Sequence, residues 1–146
     1  MLQLNVIREN TQEVKERLSK RNPAFAQVVD EVLVLDEKVR AVKAQLETNL
    51  AEANKLAKQI GELMKGGKKE EAESLKAQTA TLKSEAKQLE ETTKQLEDDL
   101  FQKLVTLPNT PHAFVPQGKS ADDNEVVMQS GSLPQLMDGA LPHWDI

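Results

Sequence analysis

Two long apolar repeats run away from a single interruption, Gly66-Gly67-Lys68, and little else in the chain is periodic. Before the glycines, Val28, Val32, Leu35, Val39, Val42, Leu46, Asn49, Ala53, Leu56, Ile60 and Leu63 recur at steps alternating between three and four residues. After them, Ala72, Leu75, Thr79, Leu82, Ala86, Leu89, Thr93, Leu96 and Leu100 do the same. This alternation lines up one stripe of a helix, which is the pattern of a coiled-coil seam. Asn49 is the one polar member of the outgoing seam.

A chain that folds back at the glycines must bring its seams together layer by layer. Leu63 with Ala72, Ile60 with Leu75, Leu56 with Thr79, Ala53 with Leu82, Asn49 with Ala86, Leu46 with Leu89, Val42 with Thr93, Val39 with Leu96 and Leu35 with Leu100 all have residue numbers that add to 135. One register therefore satisfies every layer, and its midpoint falls at Gly67/Lys68. Glycine permits the left-handed backbone that ends a helix there. Layers such as Ala53–Leu82 and Val42–Thr93 set large against small, which suits close interdigitation. The expected fold class is all-α: a long two-helix antiparallel coiled-coil hairpin with a small helical cap at its base and an irregular C-terminal connector.

Composition agrees with an elongated shape. With 146 residues, 38% hydrophobic and 3% aromatic, the chain lacks the material to wrap a thick core along its whole length. Cysteine is absent, which excludes a disulfide framework and thiolate metal sites and fits a cytoplasmic location. No run of about 18 apolar residues exists to cross a membrane. Asn5, Arg8 and Glu9 fall where a signal peptide would need its apolar core. A soluble protein without a membrane partner is expected.

Read in order, residues 1–21 form the expected cap, with Leu2, Leu4 and Ile7 apolar and Asn10 and Glu13 spaced as a capping pair ahead of Val14 and Leu18. Asn22 as N-cap and Pro23 at the first helical position open the outgoing helix, 23–65. Its 38 residues from Val28 to Lys65 span roughly 57 Å. The tip is 66–68 and the return helix 69–107, ending before Pro108, which pushes Leu107 out of helical geometry. Leu96, Leu100, Leu104 and Leu107 include two consecutive steps of four, a stutter that locally unwinds a supercoil. There Phe101, Leu104 and Val105 are expected to meet Phe25, Val29 and the cap. Residues 108–146 hold Pro108, Pro111, Pro116, Pro134 and Pro142 among glycines and read as a connector to a domain beyond the sequence. Glu125-Val126-Val127-Met128 is a candidate short strand, and the lone Trp144 a candidate anchor.

No enzyme site is assembled by these residues, so no catalytic or metal-ligating residue is assigned. His112 and His143 sit in proline-flanked segments without cysteine or a helical histidine pair. No glycine-rich phosphate loop follows a strand, and Arg40 is the last arginine. Asp98-Asp99 and Asp122-Asp123 read as solvated surface. Charge distribution is more informative than the net −5. Residues 54–87 hold eight lysines and five glutamates, so the distal arm is +3 and the remainder −8. Taking Val32, Val39 and Leu46, and Ala72, Thr79 and Ala86, as heptad position a places positions e and b of both helices on one flank. Between residues 40 and 94 that flank carries Arg40, Lys43, Lys69, Lys76, Lys83, Lys87 and Lys94 against Glu47, Glu73 and Glu90, a balance of +4. The opposite g/c flank carries Lys55 against Glu52, Glu62, Glu71 and Glu85, a balance of −3. A flank of one sign is the footprint of a polyanion-binding face.

Leu2 to Asn10, with Leu4 and Ile7-Arg8-Glu9-Asn10, then Leu107-Pro108-Asn109-Thr110-Pro111-His112, Val115-Pro116, Gly118 and Asp123-Asn124, resemble seryl-tRNA synthetases, and Pro142-His143-Trp144-Asp145-Ile146 resembles that family's entry into its catalytic domain. With the arm between, the resemblance spans the chain. It implies a tRNA-binding domain, 1–107, whose arm reaches the long variable arm of serine tRNA and delivers the acceptor end for ATP-dependent serylation. The adenylate-forming core, with its ATP and Mg, would follow the connector, 108–146. This stretch itself then needs no cofactor and carries no catalytic residue. The resemblance implies a homodimer formed through that core, and a monomer for this stretch alone. Two other readings stay open: a structural or tethering coiled coil whose lysines serve solubility, and a free-standing arm acting in trans. The length of the natural reading frame separates the last from the first.

Overall fold

The computed structural model describes residues 2–118, 120–132 and 134–145. Met1 and Ile146, which bounded the expected cap and closing motif, lie outside the described residues, as do Lys119 and Leu133. Two short helices, α1 (Leu4–Glu9) and α2 (Thr11–Ser19), precede two long ones, α3 (Ala24–Lys65) and α4 (Lys69–Thr106). α3 and α4 pack against each other and form the antiparallel hairpin. At 42 residues, α3 is roughly 63 Å long.

The tip follows from its glycines. Gly67 adopts φ +77°, the Lys68 N–H donates to the Leu63 carbonyl at 3.0 Å and the Gly67 N–H to the Met64 carbonyl at 3.3 Å. These two bonds are the Schellman closure, and the left-handed residue between them favours glycine. At the far end Leu107 takes φ −81° and ψ 124°, the extended geometry imposed by Pro108.

Every seam position from Val28 to Leu63 and from Ala72 to Leu100 is buried or half-buried. Of the side-chain ties between α3 and α4, Lys103–Glu31 and Asn49–Glu85 join pairs within one residue of the register read from the seam, and Lys43–Glu97 reaches five residues along it. Burial alternates with size. Ala53, Ala72, Thr79, Ala86 and Thr93 are hidden, while Leu46, Leu56, Leu75, Leu82 and Leu89 keep an edge in water. Thr79 and Thr93 donate their hydroxyls to the carbonyls of Leu75 and Leu89, at 2.8 and 2.7 Å, so neither is left unpaired in the seam. At the base, Leu2, Ile7, Val14, Leu18, Val29, Val32, Val39, Leu100, Leu104 and Leu107 join in one core.

Five expectations change. Asn10 makes no side-chain cap hydrogen bond. Its backbone closes α1 through Val6 and opens α2 through Val14, and the resulting φ −126°, ψ 40° replaces the extended geometry an N-cap uses. Glu13 pairs with Arg17 instead. α3 starts at Ala24, one residue later than read, although the Asn22 side chain does accept from the Ala24 N–H at 3.0 Å. Phe101 and Val105 are 52% and 46% exposed, and only Leu104 of that trio is buried. The cap helices lie against α3, and Phe101 and Val105 each sit one residue, about 100° around the helix, from the buried Leu100 and Leu104. Asn49 does not face Ala86 alone but donates to Glu85 at 3.2 Å. Finally, Glu125–Met128 forms no strand, and Val126, Val127 and Met128 are 77–94% exposed. No strand exists among the described residues to pair with it.

Candidate nucleic-acid interface

All seven basic residues of the e/b flank project from the arm and are exposed. They differ in what already holds them. Lys69, Lys83, Lys87 and Lys94 make no ion pair among the described residues. Lys76 lies 3.0 Å from Glu73, one turn earlier on α4. Lys43 reaches across to Glu97 at 2.5 Å, an acid just beyond the 40–94 window of the flank count. Both lie at e positions of facing helices, but the register sets Lys43 opposite residue 92 and nearer to Glu90, so the choice of Glu97 was not legible from the spacing. Lys76 and Lys83 border a shallow groove with Ala57, Ile60, Thr79 and Ala80, which puts e residues of both helices on one side of the arm. The other side holds Gln45, Asn49, Glu85, Gln88 and Thr92.

Arg40, at the foot of this flank, is committed elsewhere. Its Nε donates to Asp36 Oδ2 at 3.1 Å, and Arg8 from α1 donates Nε to the same oxygen at 2.7 Å and Nη2 to Oδ1. Asp36 is 2% exposed. The hydrogen bonds from Arg8, then its charge and those of Arg40, hold the Asp36 carboxyl below the usual aspartate range against the opposing effect of burial, and Arg8 is held more firmly protonated in return. The lysine ammonium of Lys103 likewise lowers Glu31. Sequence reading missed the Arg8–Asp36 tie. The spacing of Asp36 and Arg40 was the only local signal.

The His112 ring lies tilted against Phe114 and the His143 ring meets Trp144 edge to face, with ring centroids 5.1 and 4.8 Å apart. Among the described residues no group of three or more His, Asp or Glu could hold a metal ion, and no helix is long and apolar enough to cross a membrane. The arrangement offers one capability: a stiff rod with a row of uncompensated ammonium groups spaced along it.

A family model described as the seryl-tRNA synthetase N-terminal domain matches residues 1–111. The chain belongs to that family. It is 42% identical over 146 residues to the serine–tRNA ligase of Petrotoga mobilis and 36% identical over 146 residues to that of Salinibacter ruber, in each case across 100% of this chain and 34% of the relative. The chain thus spans about a third of the length of the curated relatives it matches. A crystal structure of seryl-tRNA synthetase from Pyrococcus horikoshii complexed with ATP superposes with a TM-score of 0.76 at 33% identity, over 84% of this chain and 27% of that one. The family match takes in the cap, the whole hairpin and the Pro108–Pro111 exit.

Proposed function

We propose that this chain is the tRNA-binding arm of a serine–tRNA ligase and that its e/b flank grips the long variable arm of serine tRNA. The observation that carries this reading is the row of exposed lysines, Lys69, Lys83, Lys87 and Lys94, which make no ion pair among the described residues, on a long helical arm of this family. Duplex RNA is held mainly through phosphates, 2′-hydroxyls and its A-form shape, which a line of ammonium groups suits. Lys76 and Lys83 stand one heptad apart and track a phosphate backbone together. Lys43, shared with Glu97, and Arg40, shared with Asp36, contribute less.

In this reading residues 1–107 are the arm and 108–146 lead to a catalytic portion, where ATP with Mg drives serylation and a homodimer forms. That work belongs in the cytoplasm. None of that chemistry is assigned to residues 1–146.

The test is binding to serine tRNA across several salt concentrations. Lys76→Glu with Lys83→Glu should weaken binding and flatten the log–log salt dependence by roughly 1.5 units, since two fewer phosphates are neutralised. Lys55→Glu on the opposite flank should matter less. A tRNA with a short variable arm is the control. Equal affinity of double mutant and parent would remove this flank, and equal affinity for both tRNAs would favour a nonspecific or structural coiled coil.

A further inference from the structure

Chain leaving α4 is tied back to α2 rather than left to wander. The Lys20 ammonium, just past the end of α2, donates to the Ala113 carbonyl at 2.8 Å and the Val115 carbonyl at 3.0 Å, and the Lys20 backbone carbonyl accepts from the Gly118 N–H at 3.4 Å. One residue therefore engages the connector at three points. The turn that follows is closely built. The Ser120 hydroxyl accepts from the Asp122 N–H at 3.2 Å, the Ser120 N–H donates to Asp123 Oδ2 at 3.1 Å, and a Cβ at Gly118 would stand 2.5 Å from the Asp123 Cβ. A cleft of about 700 Å³ lies between this loop and the base, lined in part by Phe25, Val105 and Leu107. Since little apolar packing fills that space, polar ties must hold the loop. Beyond Asn124 the described residues make only local backbone hydrogen bonds.

We infer that Lys20 is a positioning residue: by pinning residues 113–118 to the cap it fixes the direction in which the chain departs, and so the orientation of the arm relative to the catalytic portion. This rests on the arm reading above. An ammonium has three donors and suits two converging carbonyls, and arginine can span the same pair. A methionine keeps the apolar stem and removes every donor.

Lys20→Met and Lys20→Arg are to be compared with the parent in the full-length ligase, with three measurements: serine-dependent ATP–pyrophosphate exchange, which needs no tRNA; kcat/KM for serine tRNA; and Tm. The expected result for Lys20→Met is unchanged exchange, a loss of about tenfold in kcat/KM for tRNA, and substantial recovery in Lys20→Arg. The 146-residue chain bearing Lys20→Met should bind serine tRNA as the parent chain does, because the lysine flank is untouched. An unchanged kcat/KM, or equal losses in exchange and tRNA charging, would overturn the positioning role. If the parent chain itself fails to distinguish serine tRNA, the arm reading fails first and this inference falls with it.

Discussion

The base and the arm of this molecule use the same kinds of side chain to different effect. At the base, Ile7, Leu18, Val29 and Val32 are essentially removed from water. Along the arm the hidden positions are Ala53, Ala72, Thr79, Ala86 and Thr93, and the leucines beside them stay partly wet. Two cylinders in contact can conceal only what fits in the gap between them, whereas α1 and α2 laid against α3 add a further wall at the base. A two-helix rod thus gains less from each leucine, and its stability is spread evenly over many layers. That distribution suits a reach of tens of ångströms. The base concentrates the interactions that define the cap's place, including Arg8–Asp36 and Lys15–Asp30, the latter at 2.5 Å.

The sharpest way to break this comparison is to remove matched leucines. Leu18→Ala at the base should cost about 3 kcal/mol, because a fully enclosed side chain leaves a cavity. Leu82→Ala in the arm should cost about 1 kcal/mol, since its site already opens to water and can relax. Chemical denaturation of both variants measures the difference. Equal losses would mean that the arm is as tightly enclosed as the base.

A smaller effect is expected at Asp36. Asp36→Ala removes charged hydrogen bonds to two arginines that can both still reach water, for a loss of about 2 kcal/mol at neutral pH. The carboxyl is held below its ordinary 3.8 in the folded chain, so the unfolded chain takes up a proton first as acid is added. The contribution is complete above that value and fades as pH falls through the lower folded one. Thermal melts of parent and variant should therefore keep a constant gap from pH 7 to about pH 4 and converge below it. A gap that closes at higher pH would assign the effect to another group.

Asn49→Leu should have the least consequence. Its bond to Glu85 is exposed and weak, while leucine would add apolar contact in a half-covered layer. A gain of about 0.5 kcal/mol is expected. A lower Tm would show that the Asn49–Glu85 bond outweighs that contact and helps hold the register.

The hairpin's register, its turn and the length of its helices were legible in the sequence, because each depends on periodicity and on a glycine between two matched repeats. The same arithmetic placed Lys76 and Lys83 on one flank. What the repeat could not disclose is which partner a polar group selects once distant segments meet. Asp36 sits beside the seam with Arg40 one turn away, yet its stronger partner is Arg8, 28 residues earlier. Lys20 reads as an ordinary helix-end lysine until residues 113–118 arrive beside it. Phe101 and Val105 look like core from their composition, and remain wet because the cap lies against α3 and leaves that side of α4 uncovered. Local spacing determines which face of a helix is apolar, while the choice among competing long-range partners is made only when the whole chain is packed.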